Sequence, residues 1–450
     1  MSLFVAVTLA GSHTITTKST ALLMKKSLLL TKIFGSFRKP LLAISLGCAF
    51  IISSTSSAQE PVRIAFMDPL SGTFASIGNT GRTILEFAVD YFYNSKGGIL
   101  GGRMIEVVSL DNKQSPNETQ LQFRRAVSEE IQIIFQGNSS AVASTLSQTI
   151  SRHNRRNPGQ EVLQINYSAV DPILTEDNCS FWHFRFDAHA NMKLNILTDF
   201  IAADPDISSL YIIGQDYSFG QVVSDTTIKL MNEKRPDIEI VGNEFHPIGQ
   251  VKDFTPYVTK IVSSGADAVV TGNFGADMVS LARSIIDSGL DIPIYTFYAA
   301  YDGITATLGE GGKNKIRLIH NGVANPLPTE ARKQFNRDFK IAHPNYDVTQ
   351  PRIVNALQMV VAAMEETQST DPYDVALALE DMRFTTMSGE EIWMRAQDHQ
   401  IFQRLSVSVH TDEGVEFDAD NSGWGLVTEY QVPLEETVVE SSCQMRRPSR

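Results

Sequence analysis

Ser139 and Ser140 sit where a short apolar strand, Ile131 to Gln136, gives way to a helical pattern, Ala141 to Asn154. A serine at that junction caps the helix. The free backbone N–H groups and positive dipole end behind it suit a carboxylate. An ordinary cap would look the same in sequence. What favours a ligand is the position, because open α/β sheets gather their sites just beyond the carboxyl ends of strands. The chemistry on offer is binding rather than turnover. His153, His183, His189 and His246 are scattered, without the i, i+4 spacing of metal ligands. The chain has no Gly-x-Ser-x-Gly elbow, and neither Gly97-Gly98 nor Gly309-Glu310-Gly311-Gly312 makes a phosphate loop. Arg185 closes the run Ser180 to Arg185, which reads as a buried strand, although its guanidinium could instead meet an anionic ligand. No cofactor or metal is implied.

The elements that must position such a site alternate short apolar runs with longer helical patterns, the grammar of a parallel sheet with crossover helices. Strands are expected at Val62 to Met67, Met104 to Leu110, Ile131 to Gln136 and Val162 to Asn166. Between them lie helical patterns at Asn79 to Asn94, from Pro116, and at 141–154. The grammar then repeats: strands at Leu210 to Ile213, Ile238 to Glu244, Ala268 to Thr271 and Ile294 to Phe297, with helices at Phe219 to Lys234, Phe254 to Ser264 and Ala276 to Ser288. Two open α/β sheets side by side predict a ligand site between them. That points to the loops Asp68 to Gly78, Gly137 to Ala141, Tyr167 to Asp171, Gln215 to Gly220, Asn273 to Gly275 and Tyr298 to Gly303.

The front of the chain bounds where this protein works. Arg38-Lys39 leads into the apolar run Leu41 to Ile52, which closes at Ser56-Ser57-Ala58. That run is well short of the roughly 20 residues a spanning helix needs, and it reads as a secretory signal cleaved after Ala58. Met24-Lys25-Lys26 would also serve as its start. Cys48 is not expected to carry lipid, since the run continues past it and Ser45 stands at −3. Residues 1–58 hold six basic and no acidic residues, so their removal takes the net charge from −13 to −19. Such a charge opposes binding to nucleic acid or anionic lipid. The remaining length exceeds what one core serves, so two domains are expected. Its cysteines, Cys179 and Cys443, are expected to stay unbridged because Cys443 lies in a polar tail. That tail, 434–450, is expected to lack fixed structure.

Several segments form a set. Asp68-Pro69-Leu70-Ser71-Gly72, Lys96-Gly97-Gly98-Ile99, Gln136-Gly137-Asn138-Ser139-Ser140, Ser168-Ala169-Val170-Asp171-Pro172, Asp216-Tyr217-Ser218-Phe219-Gly220, Phe254 and Ser264-Gly265-Ala266-Asp267-Ala268 follow in order. Their order and spacing over residues 60–430 resemble the periplasmic binding proteins of branched-chain amino acid transporters, the leucine/isoleucine/valine-binding type with a type I fold. The resemblance implies an α/β chain of two open parallel-sheet lobes joined by a hinge crossed three times, near Phe184–Asp187, Ile319–Pro326 and Phe384–Gly389. Residues 59–185 and 320–385 would form the first lobe, and 186–319 and 386–433 the second. It implies a monomeric, non-enzymatic periplasmic protein that delivers a small-molecule ligand to the permease subunits of an ABC transporter. A ligand-sensing partner of a membrane receptor or kinase would share these residues, whereas an exported hydrolase would need a nucleophile and base that do not converge here.

By the same resemblance, Ser139, Ser140, Ser168 and Ala169 would face the ligand from the first lobe, with Ile77 and Val170 as further walls. Phe219, Phe274 and Tyr298 would cover it from the second. Amino-acid binders place an acidic residue near Ala299 to pair with the ligand's ammonium, and this chain reads Phe297-Tyr298-Ala299-Ala300-Tyr301-Asp302 there. The nearest carboxylates are Asp302, Asp216 and Asp277, of which Asp302 or Asp216 would have to substitute. The alternative is a ligand without an ammonium, an aromatic or aliphatic acid, because an unpaired ammonium in a closed cleft costs several kcal/mol.

Overall fold

The computed structural model describes residues 59–301, 303–322 and 324–449. The expected signal and its cleavage point, Met24, Cys48 and Asp302 lie outside the described residues. The chain runs β1 (Val62–Asp68), α1 (Ala75–Phe92), β2 (Ile105–Asp111), α2 (Pro116–Ser128), β3 (Ile133–Gln136), α3 (Ser140–Arg156), β4 (Leu163–Asn166) and β5 (His183–Arg185). It continues through α4 (Ala190–Ala202), β6 (Ser209–Gln215), α5 (Ser218–Lys234), β7 (Glu239–His246), α6 (Thr255–Ser264), β8 (Ala268–Thr271), α7 (Ala276–Asp287), β9 (Ile294–Thr296), α8 (Ile304–Leu308) and β10 (Ile316–Asn321). The last third holds α9 (Glu330–Ala342), α10 (Pro351–Thr367), α11 (Pro372–Leu379), β11 (Arg383–Thr385), β12 (Glu391–Arg395), β13 (Gln400–Phe402), β14 (Leu405–Thr411) and β15 (Gly425–Val432).

The strands form two sheets, ordered β11-β12-β13-β5-β4-β3-β1-β2 and β15-β14-β10-β9-β8-β6-β7. Central pairs such as β1 with β2 and β3, or β6 with β7 and β8, are parallel. Such strands are covered on both faces, which is why Val62–Asp68 is nearly continuous apolar sequence. The two-lobed α/β fold is therefore the one the sequence predicts, with antiparallel additions at one end of each sheet. Each sheet has its own core. Phe66, Phe135, Ile165 and Leu357 belong to the first, and Leu210, Val269, Met278 and Ile294 to the second.

Four expectations are corrected. β12 and β13 extend the first sheet beside β5, with Gln400 opposite Arg185, so residues 386–402 do not belong to the second lobe. The third crossing falls between Phe402 and Leu405, because a three-strand meander completes one sheet before β14 enters the other. Cys179 and Cys443 are bridged, with Cα atoms 5.8 Å apart. The tail around Cys443 is correspondingly held: Ser442 Oγ donates to Asp177 (2.8 Å), Arg395 to the Val439 carbonyl (2.6 Å) and Arg447 to Glu380 (2.9 Å). A polar tail hides this because its partners are side chains far away in sequence.

Buried side chains tie the crossings together. The Gln403 amide donates to Phe186 O (3.5 Å) and accepts from Asn321 (3.3 Å), and Gln400 donates to Asp187 O (2.8 Å). Arg185 is fully buried and donates to Gln400 Oε1 (2.7 Å), Asp171 O (2.6 Å) and the Thr175 hydroxyl. Its guanidinium is engaged within the hinge, and Arg185 is not among the residues that line the cavity between the lobes.

Candidate functional site

The first lobe contributes an open helix end. Ser139 precedes α3 with φ of 72° and makes no side-chain cap, while Ser140 Oγ accepts from Asp171 N (3.2 Å). Among the described residues no hydrogen bond falls to the N–H groups of Ser140, Ala141 and Val142, which leaves the positive end of α3 facing the cleft. A serine held in the left-handed region is strained, a state that persists where the surroundings over-determine it. Asp68, at the end of β1, supplies that determination. It is fully buried and accepts from Asn138 N (3.0 Å), Gly137 N (3.4 Å) and the Tyr167 hydroxyl. Gly137 must be glycine, since a Cβ there would lie 2.6 Å from the Tyr167 ring.

Beside it, Asn166 Oδ1 at the end of β4 accepts from both Ser168 N (3.1 Å) and Ala169 N (2.8 Å). These two N–H groups are therefore committed within their own turn. The Ser168 hydroxyl accepts from Arg352 Nη2 (2.8 Å). Arg352 in turn lies 3.5 Å from Asp187, and Lys193 lies 2.9 Å from the same carboxylate. Two buried cations against one buried carboxylate leave this floor with one positive charge in excess. Burial lowers the Lys193 ammonium below its usual value, against the pull of Asp187.

The second lobe contributes rings. Tyr217 and Phe219 come from the β6–α5 turn, Phe274 from the β8–α7 turn, and Tyr298 and Tyr301 from the segment after β9. Phe274 and Phe219 meet Tyr298 with ring centres 5.9 and 6.0 Å apart, and Tyr298 stacks on Tyr301 at 6.0 Å. Burial pushes all three tyrosines up, so their phenols stay protonated donors. These rings and the loop Gly137 to Ser140, with Ser168 and Ala169, enclose a narrow cavity of about 20 Å³ between the lobes.

The structure thus brings together Ser139, Ser140, Ser168, Ala169, Phe219, Phe274 and Tyr298. Ile77 and Val170 are buried in the second-lobe core where the lobes meet, outside the cavity lining. Asp216 is exposed, 3.5 Å from Gln221, and is not in the cavity. Asp277 is buried and occupied by Gln215 and Gly249 N, each at 2.7 Å. Among the described residues no carboxylate lines the cavity. Sequence reasoning passed over Tyr217 and Tyr301, although both stand inside loops it singled out. Arg352 had no local signal, being 184 residues from the serine it touches.

Asp68 gives this floor a pH dependence. Burial pushes its carboxyl up to about 7 from the usual 3.8, against the pull of its hydrogen bonds. The folded state therefore keeps a proton that the unfolded chain releases. Its stabilisation is complete below pH 3.8 and is lost as pH rises through about 7. Relative to Asp68→Asn, the wild-type protein should lose up to about 1.4 kcal/mol per pH unit across that window. Urea unfolding of both proteins at several pH values checks this, and a pH-independent difference would refute it.

The two-lobed fold is shared with known proteins. The sequence model of the family described as periplasmic binding protein matches residues 61–413. Leu/Ile/Val-binding protein homolog 4 of Brucella abortus is 29% identical over 421 residues, covering 91% of this chain and 99% of that protein. The closed structure of the leucine-, isoleucine-, valine-, threonine- and alanine-binding protein of Brucella ovis is 28% identical, with a TM-score of 0.75, covering 86% of this chain and all of that one. A solute-binding protein of an ABC transporter from R. palustris, solved with benzoate, is 18% identical with a TM-score of 0.73 over 85% of this chain and 99% of its own, a likeness of fold alone. Among the described residues no helix is long and apolar enough to cross a membrane. With the match running from β1 into β14, this chain belongs to the periplasmic binding protein family, in its branched-chain amino acid type.

Proposed function

We propose that this chain is exported to the periplasm, captures a small organic carboxylate between its lobes and delivers it to the permease subunits of an ABC importer. It acts as a monomer and without catalysis. The observation that carries the reading is the uncapped end of α3, whose Ser139 and Ser140 line the same cavity as Tyr217, Phe219, Phe274, Tyr298 and Tyr301. A carboxylate on that helix end would complete its hydrogen bonds, and an apolar body would rest on Phe219, Phe274 and Tyr298. Contacts made only when both lobes engage the ligand shift the open–closed equilibrium toward closed.

Among the described residues no carboxylate lines the cavity, and Lys193 and Arg352 exceed Asp187 by one positive charge, which favours an acid that carries no ammonium. A second reading, an aliphatic amino acid, draws on the names of the relatives. Thermal denaturation of residues 59–450 with leucine, valine, phenylalanine, benzoate, 4-hydroxybenzoate and hexanoate separates the two. A ligand at about 1,000 times its dissociation constant adds roughly 4 kcal/mol. Stabilisation by leucine or valine alone would overturn the ammonium-free reading. Ser139→Ala should then weaken the bound ligand by about tenfold or more, the worth of a hydrogen bond to a charged group. Unchanged affinity in isothermal titration would dismiss Ser139 as an anchor.

A further inference from the structure

A much larger cavity, about 580 Å³, lies on the other side of the Tyr298–Tyr301 stack. Those two rings line both spaces and form the partition between them. The first lobe walls it with α9 and the start of α10, the second with β10 and the loop before β15. Its size falls within the range of ordinary ligand pockets, roughly 300–1,000 Å³.

Arg332, on α9, lines this cavity with 5% of its surface exposed. Among the described residues its guanidinium has no hydrogen bond and no ion pair. Glu390, the carboxylate whose field it feels, is itself paired with Arg404 at 3.2 Å. A buried cation without a partner is costly, and five N–H donors facing a cavity ask for an acceptor. Two further lining groups, Asn336 Oδ1 and Thr349 Oγ1, are buried without a hydrogen-bond partner. The other charges there are spoken for: Lys340 meets Asp347 and Ala419 O, each at 2.9 Å, Glu416 meets Lys333 at 2.5 Å, and Asp418 accepts from Asp420 N at 3.1 Å. The rest of the wall is largely apolar, with Leu318, Leu327, Phe417 and Leu426.

We propose that this cavity is a second ligand chamber, one that takes an organic carboxylate with an apolar body and holds the acid group on Arg332. A guanidinium grips a carboxylate through two parallel N–H bonds, and Thr349 can donate a third. Because the walls come from both lobes, the chamber is complete only when the hinge is closed, so its occupancy would favour closure. Arg352 lines the chamber and also donates to Ser168 in the cleft, so the two spaces share one cation.

The probe is 4-bromobenzoate, titrated into wild-type protein and Arg332→Met and located in co-crystals by the anomalous signal of bromine. We expect bromine among Leu327 and Phe417, and binding at least about tenfold weaker in Arg332→Met. The melting temperature of ligand-free Arg332→Met should be unchanged or raised, because an unpaired buried charge has been removed. A structural arginine would instead lower it, which would overturn the proposal. So would no binding at millimolar concentration, water alone in the chamber, or equal affinity in the variant. Bromine beside Ser140 and Phe274 would also overturn it, while leaving the cleft reading intact. The cleft reading fails separately, if Ser139→Ala changes the affinity of no ligand.

Discussion

Replacing Asp187 with alanine is expected to destabilise the folded protein by about 3–5 kcal/mol, the cost of removing one partner from a buried ion pair. Asp187 has no exposed surface, and Lys193 and Arg352 are 2% and 7% exposed. Lys193 Nζ lies 2.9 and 3.0 Å from its two carboxylate oxygens, and Arg352 Nε lies 3.5 Å away. Without Asp187 both cations remain in the interior with no counter-charge. Their like charges also disfavour each other. The loss should appear as a lower urea midpoint, and adding Lys193→Met should restore part of it, since one of the orphaned charges is then gone. A loss below about 1 kcal/mol would mean that water reaches the cluster and the charges are not interior ones. Asp187 stands on the first crossing, Lys193 on α4 and Arg352 on α10, so the same variant should loosen the floor beneath Ser168 and Tyr298.

Gly220→Ala is expected to have the next largest effect, about 3 kcal/mol, with a loss of ligand affinity beyond it. Gly220 lies in the first turn of α5 against the end of β6. A Cβ there would fall inside the contact radius of the Gln215 carbonyl oxygen, with the carbonyl carbon at 3.0 Å. Both atoms are backbone, so the helix start itself must move. Phe219 is its immediate neighbour, and Gln215 holds Asp277 (2.7 Å) and the Phe274 carbonyl (3.3 Å). The displacement therefore reaches two of the rings that wall the cleft. Gly78 stands in the same relation to Pro69 at the start of the first lobe, where a Cβ would meet the Pro69 carbonyl. An unchanged melting temperature in Gly220→Ala would show that the turn relaxes freely and that glycine is not required.

The two lobes were legible because each parallel strand is a short apolar run followed by a helical period, a pattern written within about 30 residues. The same locality exposed Ser139 and Ser140, which mark themselves by following β3 and opening α3. Phe219 and Phe274 came through resemblance and Tyr298 through its place just after a strand, and the loops that carry them do converge. Tyr217 and Tyr301 were visible in those loops, yet nothing local said which way their rings face. Asp216 failed for the same reason in reverse, since one residue of difference in a turn decides between cleft and solvent.

What the sequence determined by itself is therefore what is coded between near neighbours: period, caps, strand ends and the order of turns. Only the tertiary structure decided that β12 and β13 join the first sheet, that Cys443 reaches Cys179 across 264 residues, and that Arg352 meets Ser168 and Asp187. It alone placed Arg332 against a cavity, without a hydrogen bond to its guanidinium among the described residues. These contacts pair groups far apart along the chain. No local periodicity records them, because the free energy that selects them comes from burial and charge pairing in the assembled fold.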